Sequence, residues 1–127
     1  MKKLLYFMAA GVFLASCTKL ELNKETTIQP LENYHLDYHT YFRIDSIHDY
    51  RCPADLECLW SGNADIFISG SDGVVLVNIL AQLYSDTHNP VYIGNYRIKI
   101  LDVLPYRKSG DAFNLNDERV KIVISKN

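Results

Sequence analysis

The chain has no apolar run long enough to span a bilayer, no cluster of basic residues and no stretch with a sustained 3.6-residue apolar period. A spanning helix needs about 20 apolar residues, whereas the longest run, residues 4–15, has 12. The first absence argues against a helical transmembrane anchor and the third against a helical bundle or coiled coil. The second, with 13 basic against 15 acidic residues and a net charge of −2, argues against nucleic-acid binding, which rests on neutralising phosphates. Six glycines and four prolines in 127 residues are too few for a collagen-like or low-complexity chain. Neither a G-x-S-x-G elbow nor an H-E-x-x-H pair, a Gly-rich phosphate loop or a dinucleotide fingerprint is present. No cofactor is implied. What remains is a chain that is 48% hydrophobic and 12% aromatic, enough to build one core of ordinary domain size.

The first 17 residues carry the clearest signal. Lys2 and Lys3 precede the 12-residue apolar run, which as a helix would span about 18 Å, short of the ~30 Å hydrocarbon layer. Residues 1–16 therefore form a signal peptide rather than an anchor. The run ends in Leu14-Ala15-Ser16-Cys17, which resembles the lipobox of bacterial lipoproteins. The resemblance implies cleavage before Cys17 and acylation of its thiol and new amino group. An ordinary secretory signal ending near a cysteine is the competing possibility. Several acyl chains, at about 0.8 kcal/mol per buried methylene, hold a protein on a membrane permanently. Thr18 rather than Asp follows Cys17, which by analogy with enterobacterial sorting points to the outer membrane, with the domain facing the periplasm or the cell surface. Loss of the leader removes two lysines and leaves a net charge of −4.

Lipidation consumes one of three cysteines. Cys52 and Cys58, exported to an oxidising compartment, are then expected to form a disulfide around a seven-residue loop. A thioredoxin-like redox pair would have two intervening residues rather than five.

In the mature chain, residues 17–32 read as the lipidated N-terminus and a polar tether or loosely attached first strand, and residues 33–127 as a single domain. Strict alternation over residues 34–44 predicts one long strand with Leu36, Tyr38, Phe42 and Ile44 on one face, and Ile47 falls out of phase beyond an expected bulge at Asp45-Ser46. Ala64, Ile66 and Ile68 mark a second strand. Residues 74–80, apolar on both faces, are expected to form a central one. Tyr96, Ile98 and Ile100 mark a further strand, as do Val120, Ile122 and Ile124. Only residues 53–59 and 80–86 suit a helical turn. Short alternating strands between turn signals predict an all-β antiparallel sandwich, with an immunoglobulin-like order favoured and a jelly roll or small barrel as alternatives.

The segment Arg51-Cys52-Pro53-Ala54-Asp55-Leu56-Glu57-Cys58-Leu59-Trp60-Ser61-Gly62-Asn63-Ala64 has the pattern R-C-P-x4-C-x-W-x-G-x-A. It resembles a group of uncharacterised small lipoproteins of Bacteroidetes-type bacteria, whose cores also carry a V-x-P-Y-like segment, here Val103-Leu104-Pro105-Tyr106. The resemblance spans roughly residues 40–125. It departs upstream, where members commonly have D-S-R-C-P and this chain has Asp49-Tyr50-Arg51-Cys52-Pro53. It supports the fold and the envelope address and brings no activity with it.

Two physical roles suit the segment: a packed corner, with Cys58 and Trp60 on one strand face and the indole over the bridge, or a ligand-contacting loop. For the second, Arg51, Asp55, Glu57 and Trp60 are the candidate binding residues, since Trp and Arg dominate binding hot spots. The expected function is that of a non-catalytic binding or accessory module for an envelope protein or a glycan. A small hydrolase using carboxylates among Asp45, Asp49, Asp55 and Glu57 is the enzyme alternative. A metal-binding lipoprotein using His35, Asp37 and His39 is a third, but on a flat strand the outer pair would lie about 13 Å apart, too far for one ion.

Overall fold

The computed structural model describes residues 20–127; the leader and Cys17 lie outside them. Eight strands are laid down in chain order: β1 (Glu25–Ile28), β2 (Tyr34–His35), β3 (Tyr41–Asp49), β4 (Ala64–Ser71), β5 (Leu76–Gln82), β6 (Val91–Ile93), β7 (Tyr96–Leu104) and β8 (Arg119–Lys126). They form two four-stranded antiparallel sheets, ordered β1-β8-β7-β6 and β2-β3-β4-β5. The result is an all-β sandwich in which consecutive strands are neighbours, the chain changing sheets only at β1–β2 and β5–β6. A 3-10 turn, Leu115–Asp117, capped by the Asn114 side chain, is the helical element among the described residues; residues 53–59 and 80–86 form none.

The core is the set of alternating positions that faces between the sheets. Phe42, Ile44 and Ile47 of β3 and Ala64, Ile66 and Ile68 of β4 meet Ile98, Ile100 and Val103 of β7 and Val120, Ile122 and Ile124 of β8, all buried. The expected bulge in β3 appears as a register shift between Ile44 and Ser46. It returns Ile47 to the inner face, which a period of two could not do unaided.

Three stretches differ from the sequence expectation. Residues 34–44 do not make one strand: β2 ends at His35 and the chain turns before β3, with Tyr34 opposite Phe42 and His35 opposite Tyr41. Asp37 Oδ1 accepts the amides of His39 and Thr40 at 2.8 and 2.7 Å, an Asx turn that the alternating hydropathy concealed. Tyr38, expected on the inner face, is 93% exposed. Residues 74–80 do not form a central strand either: β5 is the edge of its sheet, and Val74, Val75 and Leu76 are exposed. Finally, the stretch read as a tether or a loosely attached first strand does hold a strand, β1, and its attachment is not loose: it pairs with β8 through four residues and buries Ile28.

Strand direction alternates throughout, so the loops gather at two ends. One end holds Leu20 and the chain entering β1, the turn at Asp37–His39, the β4–β5 tip and the β6–β7 turn. There the Asn23 amide donates to Ile124 O, and the Asn127 amide to Asn95 O. The opposite end holds the β3–β4 loop with both cysteines, the β5–β6 loop and the β7–β8 loop.

Ile28→Ala should destabilise the domain by about 2–5 kcal/mol, as deletion of a buried aliphatic side chain does. A residue in a free tether would change stability by less than about 0.5 kcal/mol, and urea unfolding of the full chain separates the two.

Candidate functional site

The β3–β4 connection begins as a continuation of the hairpin. Tyr50 N donates to Asn63 O at 2.9 Å and Cys52 N to Ser61 O at 3.0 Å, so the ladder extends two steps beyond the strands. Gly62 makes this possible: its φ is +69°, and a Cβ there would overlap the Tyr50 carbonyl and lie 2.8 Å from Arg51 Cα. Cys52 and Cys58 are joined by a disulfide, their Cα atoms 5.9 Å apart. In the chain-entropy view, a seven-residue loop closed in this way is stabilised by about 2–2.5 kcal/mol. The loop also docks sideways onto the β7–β8 loop: Ala54 N donates to Arg107 O at 2.9 Å, and Asp55 accepts from the Ser109 amide at 2.7 Å and from its hydroxyl.

Arg51 is not a surface residue. It is 7% exposed, and its guanidinium binds Asp49 through Nε and Nη2 at 2.9 and 2.7 Å. It also reaches across to β7, donating to Asp102 Oδ1 at 3.2 Å and to Val103 O at 2.8 Å. Its plane lies 4.3 Å over the Tyr106 ring. The register shift in β7 between Ile100 and Asp102 presents Asp102 at this point. Burial opposes the charges of both partners, but their mutual hydrogen bonds win. Asp49 is held below the ordinary carboxylate range, and Arg51 is held more firmly protonated than usual. A second ion pair lies nearby: Arg107 Nη2 meets Glu118 Oε1 at 3.2 Å. Glu118 is 2% exposed, and its Oε2 and Arg107 Nε lack hydrogen-bond partners among the described residues. Burial raises the Glu118 pKa more than Arg107 lowers it, and the charge of Asp49 adds to the rise.

Of the four residues singled out for binding, then, Arg51 is a buried clamp and Asp55 is occupied by Ser109. Glu57 and Trp60 face solvent. Cys58 and Trp60 are not on a strand and both are exposed, so they do not share a strand face and the indole is not packed into the corner. Instead Leu59 is 99% and Trp60 69% exposed at the tip, with Leu56 exposed beside them in sequence. Tyr84 and Phe113, from the other two loops of this end, are exposed as well. Sequence reasoning counted Tyr84 among the surplus aromatics suited to an interface but did not bring in Phe113, which lies far from the cysteines in the chain.

Between the disulfide loop and the β7–β8 loop runs a cleft of about 220 Å³, lined by Pro53, Tyr106, Lys108, Ser109 and Asp111 with Arg51 and Asp49 at its base. Its carboxylates are engaged: Asp49 by Arg51, and Asp111 by the Lys108 amide at 2.9 Å. Asp45 pairs with Arg43 at 2.8 Å. At the other end, Asp37 Oδ1 accepts the amides of His39 and Thr40 and β2 ends at His35, so the single strand that was to project His35, Asp37 and His39 from one face does not form. No group of three or more His, Cys, Asp or Glu side chains could hold a metal ion among the described residues.

Comparison with protein-family models, curated proteins and solved structures finds no match to the chain.

Arg51→Ala should cost about 3–5 kcal/mol, because it leaves Asp49 buried without its counter-ion. Trp60→Ala should change stability by no more than about 0.5 kcal/mol; comparable losses from both would refute the division into clamp and surface. The raised pKa of Glu118 implies stability that is fully present below the ordinary glutamate pKa and lost as pH rises through the elevated one. Urea unfolding across this range should show that slope in the wild type and a flatter one in Glu118→Gln; equal slopes would count against it.

Proposed function

We propose that the protein is a lipoprotein anchored through Cys17 to the outer membrane, and that it works as a non-catalytic module. In this reading it binds an envelope protein through the disulfide-pinned tip. The observation that carries this is the Leu59–Trp60 pair, exposed on a loop fastened by the Cys52–Cys58 bridge, the Gly62 turn and the Asp55–Ser109 bonds. A large apolar pair exposed on a loop of low conformational freedom is poor for solubility and good for binding, since the ordering cost is met before the partner arrives. The tip lies at the end of the sandwich opposite Leu20, so an anchor before Leu20 would hold it away from the membrane. No helix among the described residues is long and apolar enough to cross a membrane. The lipobox-like Leu14-Ala15-Ser16-Cys17 supplies the address, and the likeness of residues 51–64 to small Bacteroidetes-type lipoproteins agrees with it.

The engagement of Asp45, Asp49 and Asp55 in structural bonds favours binding over the hydrolase alternative. As to fold type, the adjacency of consecutive strands supports a flattened up-and-down barrel opened at two seams. The immunoglobulin-like order changes sheets more often.

Two measurements test the proposal. Cys17→Ala should move the protein out of the membrane fraction and abolish the acylated N-terminal peptide in mass spectrometry; a variant that stays membrane-bound would refute the anchor. Wild-type full-length protein should enrich one partner from solubilised envelope, and Trp60→Ala, folded by circular dichroism, should lose it. Retention by both would move the binding surface elsewhere, and enrichment of saccharide rather than protein would make the ligand a glycan.

A further inference from the structure

The end of the sandwich opposite the disulfide loop also exposes apolar side chains. Val74 is 90% exposed at the tip of the β4–β5 hairpin, next to the exposed Val75 and Leu76, and Tyr38 projects from the neighbouring β2–β3 turn. The two tips touch: a Cβ on Gly73 would lie 2.8 Å from the His39 side chain. The β6–β7 turn closes the same end, a Cβ on Gly94 coming within 3.0 Å of Asp72. Leu22, also exposed, sits on the strand entry beside the Asn23–Ile124 hydrogen bond.

The polar backbone of the β4–β5 tip is already served from within. Asp72 Oδ1 accepts the amides of Val74 and Val75 at 2.9 and 2.8 Å, and Ser71 Oγ accepts that of Gly73 at 3.0 Å. Removing this tip from water therefore strands few donors, and most of what it loses from solvent is valine and leucine surface.

We infer that this end is a membrane-contact face: the Val74–Leu76 tip and Tyr38 rest in the headgroup region of the bilayer that holds the lipid anchor. This rests on acylation of Cys17. Only Thr18 and Lys19 separate Cys17 from Leu20, and three residues span at most about 11 Å even when fully extended. The headgroup layer on each side of the hydrocarbon is about 5–8 Å deep. The chain thus enters the domain at the membrane surface and leaves no room for a partner protein between them. Tyr38 has the amphipathic ring that collects at such interfaces.

The chain contains one tryptophan, Trp60, at the far end, which gives a direct test. Full-length lipidated protein is reconstituted into phosphatidylethanolamine–phosphatidylglycerol vesicles with brominated acyl chains, and indole emission is read in floated vesicles. In a Trp60→Phe background, Val74→Trp should lose most of its emission relative to unbrominated vesicles, and Tyr38→Trp should do likewise. Wild-type Trp60, an equally available indole, should lose almost none. Unquenched emission from positions 74 and 38 in protein that floats would overturn the membrane face while leaving the anchor standing. Equal quenching of both ends would overturn it too, since the domain would then have no fixed orientation. Protein that does not float refutes the anchor, and the membrane face with it.

Discussion

The guanidinium of Arg51 holds the two sheets together at the disulfide end. It leaves the end of β3 in one sheet and is satisfied by Asp102 and the Val103 carbonyl of β7 in the other, with Asp49 as its counter-ion and Tyr106 beneath its plane. Planar, delocalised and always charged, arginine can serve all four at once; lysine, a single point charge, could not. Desolvating such a cluster costs several kcal/mol per ion before its attractions return any of it. Its contribution is therefore as much to position as to stability. With Arg51 committed to β7, Cys52 leaves the sandwich in one direction, and the disulfide and the Asp55–Ser109 bonds hold the loop beyond it.

This constraint joins two motifs that lie about fifty residues apart in the chain. The arginine of R-C-P and the valine and tyrosine of V-x-P-Y are halves of one contact: the guanidinium donates to Val103 O and covers the ring of Tyr106. Both segments serve the fold first. The exposed apolar residues stand between the motif's fixed points, at Leu59 and Trp60 on the tip, and on the neighbouring loops at Tyr84 and Phe113.

The domain is polar in the mechanical sense. An up-and-down path of alternating strands sorts its loops into two sets, so the chain entry with the Val74–Leu76 tip occupies one end and the clamp with its apolar tip the other. A short connection to a lipidated Cys17 would turn this asymmetry into an orientation, one end on the bilayer and the other presented outward. The Arg107–Glu118 pair near the clamp, its carboxylate buried and its guanidinium partly exposed, has an oxygen and a nitrogen lacking partners among the described residues and is the least satisfied polar contact there.

How much of this was legible in the residues alone depends on whether the signal is local. Period-two alternation at 64–68, 96–100 and 120–124 identified the inner faces, because a pleat sends alternate side chains to opposite sides whatever the rest of the chain does. The Ile47 phase slip revealed the bulge for the same reason. The spacing of Cys52 and Cys58, with the third cysteine expected to carry a lipid, implied the bridge by chemistry alone. The same alternation misled at 34–44, where the Asx turn of Asp37 interrupts it, and at 74–80, where an apolar run reads alike in a central strand and on an exposed edge. Exposure depends on what lies across the sheet. Tertiary structure alone decided that β1 joins the core, that Arg51 is a clamp rather than a contact residue, and that Trp60 faces water. Each depends on partners such as Val120, Asp102 and Ser109 that the fold brings from the far end of the chain.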